Sequence, residues 1–112
     1  NNTTTARDLA VLLAAIAQGR AASDSSSAIM LDILTRQEFR AGIPAGIPPG
    51  TRVASKTGNI TGVNHDAAVI FPPTRPPYVL VILTRGFASP MAAEAYMAAV
   101  SRAVWTGLVG VP

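Results

Sequence analysis

Two stretches near the start of the chain carry apolar residues at helical spacing. Thr5 and Asp8 stand three residues apart, as in a capping box, which predicts a helix over residues 5–19. Asp24 suits the N-cap of a second helix, predicted over residues 24–38. We therefore expect two antiparallel helices joined by a short linker, with apolar faces formed by Leu9, Leu12, Leu13 and Ile16 and by Ile29, Met30, Ile33 and Leu34.

Three strand-like stretches follow a connector that is rich in glycine and proline. The connector, residues 40–50, contains prolines that exclude a regular helix or a central strand. Strands are predicted over residues 52–57, 65–71 and 78–85, and the short turn-rich links between them favour an antiparallel meander. The last stretch is apolar on both faces, which is typical of a central strand covered on both sides.

The end of the chain predicts a third helix and completes the fold class. Ser89 is a good N-cap residue and Pro90 suits the first helical turn, so a helix is expected over residues 90–107. Ile43 and Ile47 are expected to anchor the connector on apolar surface as an ordered segment. The order α-α-β-β-β-α indicates an α+β fold, in which an antiparallel sheet of three strands packs against two N-terminal helices and a C-terminal helix.

Composition narrows the classes of function. The chain has 112 residues, a length that predicts one domain. Of these residues 49% are hydrophobic and 13% charged, and this apolar excess predicts that the chain is a piece of something larger. The formal net charge of +3 comes from scattered arginines rather than a basic patch, which argues against nucleic-acid binding. The sequence has no cysteine, which excludes a thiol nucleophile, and its single histidine argues against a metal site. The longest apolar run, residues 9–17, is too short for a membrane span. No cofactor is expected.

The sharpest chemical signal is Lys56, which is the only lysine in the sequence. It lies near the end of the strand predicted over residues 52–57 and is followed by Thr57 and Gly58. A cation, a hydroxyl donor and a residue that permits close backbone approach are therefore adjacent in the sequence. The next backbone N–H, of Asn59, is expected to point along the strand edge toward the same space. These groups predict an anion-binding site, although the same tripeptide also occurs by chance as an ordinary strand end.

The surroundings of this tripeptide resemble those of the penicillin-recognising serine hydrolases, and of class A serine β-lactamases in particular. Residues 53–62 and 65–70 are similar to the family's Lys-Thr-Gly strand, its turn and the next strand. Residues 3–8 resemble the start of the helix after the omega loop, and residues 78–85 and 89–108 resemble the following strand and the C-terminal helix. The resemblance covers nearly the whole chain but only the C-terminal part, somewhat under half, of the family's domain. It implies a β-lactamase/transpeptidase-like fold in a secreted or periplasmic protein.

The resemblance also implies roles for individual residues in β-lactam amide hydrolysis through an acyl-enzyme. Lys56 would attract the carboxylate of the β-lactam and assist proton transfer, while the Thr57 hydroxyl would hydrogen-bond that carboxylate beside Gly58. The Asn59 N–H would be one of two oxyanion-hole donors. Arg7 stands where some members place an arginine that reaches the same carboxylate, in place of one on the strand after the motif.

Other parts of the family's machinery are missing from the sequence. Val53, not serine, stands three residues before Lys56, so the Ser-x-x-Lys nucleophile is absent, and neither Ser-Asp-Asn nor Glu-x-x-Leu-Asn occurs. His65 and Asp66 are not expected to replace them as a catalytic pair, because neighbours on a strand point to opposite faces. Since the nucleophile carries most of the catalysis, the chain alone is expected to be inactive.

Two kinds of function remain open at this point. In the first, the chain supplies one wall of a hydrolase site for a β-lactam or peptidoglycan-like substrate, and the missing N-terminal part of the fold, or a second chain, supplies the nucleophile. In the second, it is a non-catalytic binding or assembly module that self-associates through uncovered strand edges and apolar faces. A transpeptidase or esterase relative is a further alternative, because such enzymes share the Lys-Thr-Gly wall.

Overall fold

The computed structural model describes residues 3–110 of the chain. These residues form helices and strands in the predicted order, which are α1 (Ala6–Ala17), α2 (Asp24–Thr35), β1 (Arg52–Ile60), β2 (Val63–Phe71), β3 (Tyr78–Arg85) and α3 (Pro90–Leu108). A short 3-10 turn, Ile43–Gly46, lies within the connector. The predicted α+β class and the antiparallel three-stranded sheet are confirmed.

Both N-terminal helices begin at side-chain caps. The Thr5 hydroxyl accepts a hydrogen bond from the Asp8 N–H (3.0 Å), as the capping pattern predicted. The prediction that Asp24 caps the second helix is wrong by one residue, because the Ser23 hydroxyl accepts from the Ser26 N–H (3.1 Å) and Asp24 is the first helical residue. Each cap satisfies an N–H that has no partner within its own helix.

Both helices also end earlier than the predicted residues 19 and 38. Gly19 follows α1 with a φ of 74°, the left-handed conformation that commonly terminates a helix. α2 ends at Thr35, whose hydroxyl donates to the Asp32 carbonyl oxygen (2.6 Å), one of the carbonyls that a helix end leaves without an N–H partner. Glu38 therefore lies between α2 and the connector rather than on a helix, which corrects the prediction.

The hairpin that joins β1 and β2 is tighter than predicted, and both strands are therefore longer. β1 continues to Ile60 and β2 begins at Val63, and these two residues pair directly across the turn. Gly62 in the turn has a φ of 74°, which glycine adopts without steric cost. The predicted strand stopped short because Gly58 and Asn59 have low strand propensity, which pairing with β2 overrides.

The sheet lies between two helical layers and has an apolar cluster on each face. Its strand order is β1-β2-β3, so β3 lies at the edge of the described sheet and not at its centre, although both of its faces are covered. α1 and α2 cover one face, and the connector and α3 cover the other. The two clusters are built around Leu13, Ala54 and Val69 on the first face and Ile43, Ile70, Met97 and Trp105 on the second.

The connector is ordered, as expected, and packs between the sheet and α3. Ile43 and Ile47 are both buried in the cluster on that face. The Ser101 hydroxyl on α3 donates to the Ile43 carbonyl oxygen (2.8 Å). Gly46 lies so close to α3 that a Cβ would overlap the Ala98 carbonyl oxygen. The connector therefore fixes the distance between α3 and the sheet.

Candidate active-site wall

Lys56, Thr57 and Gly58 lie on the part of β1 that extends beyond the apolar clusters. Residues 53–55 are buried, whereas Lys56 and Gly58 are exposed and Thr57 is half-buried. The Lys56 ammonium donates to the Thr57 carbonyl oxygen (2.7 Å), a contact within its own strand. Because none of these side chains is required for core packing, they are available to bind a ligand. Residues 56–59 are called the wall below.

Lys56 and His65 line the same cavity, a groove that lies beside the wall. In the register of β1 with β2, Gly58 pairs with His65 and Lys56 pairs with Ala67, so these residues share one face of the sheet. The cavity has a volume of about 330 Å³. It is bounded by α1 on the opposite side through Leu9, Leu12, Leu13 and Ile16. The groove therefore combines an apolar helix surface with a cation and an imidazole.

His65 and Asp66 point to opposite faces, as strand alternation predicted. His65 accepts a hydrogen bond at Nδ1 from the Thr84 N–H on β3 (3.1 Å), so this nitrogen carries no proton in this arrangement. Asp66 is buried on the face that the connector and α3 cover. The two do not form a catalytic pair. His65 lines the same groove as Lys56 because of the register between β1 and β2. Sequence reasoning missed this placement of His65, because the register is not visible in the sequence.

The Asp66 carboxylate is buried and accepts hydrogen bonds from two backbone N–H groups. Oδ2 accepts from Ile43 (2.8 Å) and Oδ1 accepts from Ala67 (3.0 Å). Burial raises the pKa of Asp66 to about 6, and the two hydrogen bonds and the positive charges of Arg40 and Lys56 act in the opposite direction. This carboxyl group therefore changes its charge much closer to neutral pH than an exposed aspartate does.

The remaining predicted site residues lie outside the groove. Asn59 follows on β1 opposite Asn64 and lines a second recess, of about 410 Å³, between the β1–β2 turn and the start of α3. Arg7 is exposed on the first turn of α1 and does not appear among the described residues that line the groove. The roles of the Asn59 N–H and of Arg7 therefore stay predictions.

We also looked for other cavities, metal sites and membrane-spanning helices in residues 3–110. A larger cavity of about 500 Å³ lies between the connector and α3 against Arg102 and Trp105, away from Lys56. Within residues 3–110, no three histidine or carboxylate side chains are grouped so that they could hold a metal ion. The helices in the same range lack the combination of length and hydropathy that a membrane crossing requires.

Ser55, next to the wall, allows a prediction about stability. Its hydroxyl is fully buried and has no hydrogen-bond partner within residues 3–110. Ser55→Ala is therefore expected to leave the free energy of unfolding unchanged or to raise it by up to about 1 kcal/mol, because an unsatisfied buried polar group is removed. Urea unfolding measures the change. Ser101→Ala is the control, expected to cost about 1–3 kcal/mol because it leaves the Ile43 carbonyl unpaired.

The fold is that of class A β-lactamases and penicillin-binding proteins, as comparison with known proteins shows. The sequence matches the profile described as the beta-lactamase enzyme family over residues 1–108. The chain belongs to this family. The solved structure of PBP-A superposes with a TM-score of 0.88 at 34% identity, over 99% of this chain and 42% of that one. A beta-lactamase from Sphaerobacter thermophilus gives a TM-score of 0.85 at 33% identity, over 94% and 40%.

Curated relatives also match by sequence. The beta-lactamase of Bacillus amyloliquefaciens is 36% identical over 91 residues, which are 77% of this chain and 29% of that protein. The beta-lactamase of Bacillus licheniformis is 36% identical over 85 residues, which are 74% of this chain and 28% of that protein. The chain thus spans less than a third of the length of these relatives.

Proposed function

We propose that this chain forms the carboxylate-binding and oxyanion wall of a serine β-lactamase-type hydrolase, which opens β-lactam amides through an acyl-enzyme. The observation that carries the proposal is the position of Lys56, Thr57 and Gly58 in the outer half of β1 beside a groove, with Lys56 and Gly58 exposed and Thr57 half-buried, in a chain of the β-lactamase family. The nucleophile belongs to the N-terminal part of the fold, because this sequence contains no Ser-x-x-Lys. A mutant of PBP-A, described as an acyl-enzyme complex with penicillin G, supports the substrate class.

Each group of the wall has its own task in this proposal. The Lys56 ammonium exchanges its contact with a neutral carbonyl for one with the substrate carboxylate, a stronger charge-assisted bond. The Thr57 hydroxyl donates to the same carboxylate, and the Asn59 N–H stabilises the negative charge that develops on the scissile carbonyl oxygen. Gly58 leaves room for the substrate, since no protein atom lies within 4 Å of the position of a Cβ there.

Two residues are candidates for a further contact with the substrate carboxylate. Arg7 has this role by resemblance, but it lies on the first turn of α1 and outside the groove lining. His65 lines the groove across from Gly58 and shares the sheet face of Lys56. A neutral imidazole whose Nδ1 already accepts from Thr84 still has its Nε2–H to donate, so the groove geometry favours His65 as the nearer donor.

The proposal is tested with a chimera that carries the N-terminal portion of the Bacillus amyloliquefaciens β-lactamase ahead of residues 1–112. We expect the chimera to hydrolyse a chromogenic cephalosporin and the 112-residue chain alone to show no turnover above buffer. Circular dichroism confirms in parallel that each protein folds cooperatively. Turnover by the chain alone, or a cooperatively folded chimera that neither hydrolyses nor is acylated by β-lactams, contradicts the proposal.

A second candidate function, assembly without catalysis, is favoured by the apolar surface of α1 and α2. Val11 is 64% exposed, Ile29 is 60% exposed and Ile33 is 46% exposed, all on the helical layer that borders the groove. β1 and β3 each pair with β2 alone within the described residues. Uncovered apolar faces and strand edges promote association. Light scattering on the isolated chain separates the candidates, because a stable monomer argues against assembly as its function.

Membership of the family supports two further parts of the proposal, the class of substrate and the location of the protein. A transpeptidase or esterase would use the same wall on a peptidoglycan-like substrate, and the chimera distinguishes these activities by its relative rates on a cephalosporin and on an acyl-D-Ala-D-Ala peptide. A secreted or periplasmic location is part of the proposal. Lys56 and Thr57 have the same proposed roles whichever of these substrates the enzyme uses and wherever the protein is located.

A further inference from the structure

The end of the sheet that carries the wall contains buried polar groups that are held by hydrogen bonds. Residues 67–71 of β2 lie within the two apolar clusters, whereas the half of β2 behind the wall presents the buried Asn64 and Asp66. Thr84 on β3 donates its hydroxyl proton to the Asn64 carbonyl oxygen. No side chain of residues 56–60 is buried. The position of the wall therefore depends on the polar contacts made by the half of β2 with which it pairs.

Asp66 makes the contact that ties this half of β2 to the connector. Its partner in the β1 register is Thr57, so the two side chains are neighbours on the same face of the sheet, the one that the connector and α3 cover. Oδ2 binds the Ile43 N–H at 2.8 Å and packs against Gly42, where a Cβ would come within 2.6 Å of it. Ser101 binds the Ile43 carbonyl oxygen from the other side. One peptide segment is thus held by β2 and by α3.

We propose that Asp66 is a positioning residue for the wall. By tying the connector to β2, its carboxylate holds the strand against which Thr57 and its neighbours are paired, and so sets the geometry in which the wall meets a substrate carboxylate. The inference rests on the proposed function and names a residue that acts through β2 without touching the substrate. Such support matters because misplacement of a binding group by about 1 Å can cost about 100-fold in rate.

The charges around Asp66 make this support sensitive to pH. Arg40 at the start of the connector and Lys56 on β1 act on the carboxylate. β3 presents the apolar Ile82 opposite it, and α3 presents the neutral Ser101 to the same connector segment. Both carboxylate oxygens accept N–H groups. A proton on either oxygen faces one of those donors, so protonation removes one of the two hydrogen bonds.

The first experiment compares three variants in the chimera. Asp66→Ala is expected to lower kcat/KM about 10-fold or more, while Asp66→Asn, which keeps an oxygen for the Ile43 N–H, stays within about 3-fold of the parent. Ser101→Ala is the matched control, because it cuts the other hydrogen bond to the same peptide segment without touching β2. It is expected to lower the melting temperature but to leave kcat/KM within about 2-fold at a temperature where the protein is folded.

The second experiment measures pH dependence. The folded-state pKa of Asp66, about 6, lies above its ordinary value of 3.8, so the folded protein binds more protons between these values. The contribution of Asp66 to stability is therefore fully present below about pH 4 and is lost as the pH rises through about 6. We expect kcat/KM to change in the opposite sense and to fall by up to about 3-fold as the pH drops below 6, because the protonated carboxyl, like the amide of Asp66→Asn, keeps one accepting oxygen. Asp66→Asn removes both effects in that range.

The outcomes separate this inference from the proposed function. If the parent chimera is inactive, the proposed function fails, and the pH dependence of unfolding of the 112-residue chain and its Asp66→Asn variant still reports on the hydrogen-bonded carboxylate. If Asp66→Ala and Ser101→Ala lower the melting temperature equally and both leave kcat/KM unchanged, Asp66 is merely structural and the inference is overturned. Loss of the pH 6 inflection in Asp66→Asn together with reduced kcat/KM in Asp66→Ala supports it.

Discussion

Gly46→Ala is expected to destabilise the fold by roughly 3 kcal/mol or more, the largest loss of stability that we predict for one methyl group. A Cβ at position 46 overlaps the Ala98 carbonyl oxygen and lies 2.8 Å from the Arg102 nitrogen. Both are backbone atoms of α3, which cannot rotate away as a side chain tip would. The connector would have to move off the helix, and the buried Ile43 and Ile47 would move with it. Urea unfolding measures the loss.

Gly107→Ala is the matched control for this prediction. Gly107 lies in α3 near its end, and a Cβ there would meet no atom within 4 Å. The substitution is expected to raise stability by about 0.5–1 kcal/mol, because alanine loses less conformational freedom in a helix than glycine does. If Gly46→Ala unfolds at the same urea concentration as the parent, the close contact between the connector and α3 is not a determinant of the fold.

Lys56→Met is expected to lower kcat/KM of the chimera by about 100-fold, the largest effect on activity that we predict. The substitution keeps the length of the side chain and removes the charge, and a hydrogen bond to a charged group is worth about 1.5–3 kcal/mol. The kcat/KM of Lys56→Arg is expected to lie between those of the parent and Lys56→Met, because arginine restores the charge but not the compact geometry of an ammonium. Steady-state kinetics on a cephalosporin measures both variants. Neither should change the melting temperature, since Lys56 is exposed.

Arg52→Met controls for a general effect of charge. Arg52 is a cation on the same strand, but it lies at the far end, where its guanidinium stacks over the Phe71 ring at 4.7 Å. Its replacement is expected to leave kcat/KM within about 2-fold while costing at most about 1 kcal/mol of stability. Equal losses of activity in Arg52→Met and Lys56→Met would mean that net charge, and not a bound carboxylate at the wall, explains the effect.

Local signals sufficed for the elements that begin at a cap or run through the core. Thr5 and Ser89 each cap a helix as their sequence context predicted, because a cap is made by residues three positions apart. The boundaries that failed depend on partners. β1 reaches Ile60 only because β2 pairs with it, and local propensity would have ended the strand near Gly58.

Some residues of the candidate site could likewise be predicted from local sequence, whereas others depend on distant partners. Lys56 and Thr57 are adjacent in the sequence, so their grouping with Gly58 was predictable without a structure. His65 enters the groove through the register of two strands. Asp66 gains one of its two hydrogen bonds, from the Ile43 N–H, through its contact with the connector, more than twenty residues earlier in the chain, and burial raises its pKa. Neither contact leaves a periodic pattern in the sequence.

The sequence by itself determined the α+β class, the order of the elements, the caps of α1 and α3 and the Lys-Thr-Gly tripeptide, because spacing of a few residues encodes each of them. Only the tertiary structure decided which groups surround that tripeptide. It brought His65 into the groove of Lys56 and placed Asp66 beside Thr57 on the neighbouring strand. The physical reason is that register and burial are set by the packing of the whole sheet between its helices, and a local stretch of chain carries no record of its distant partners.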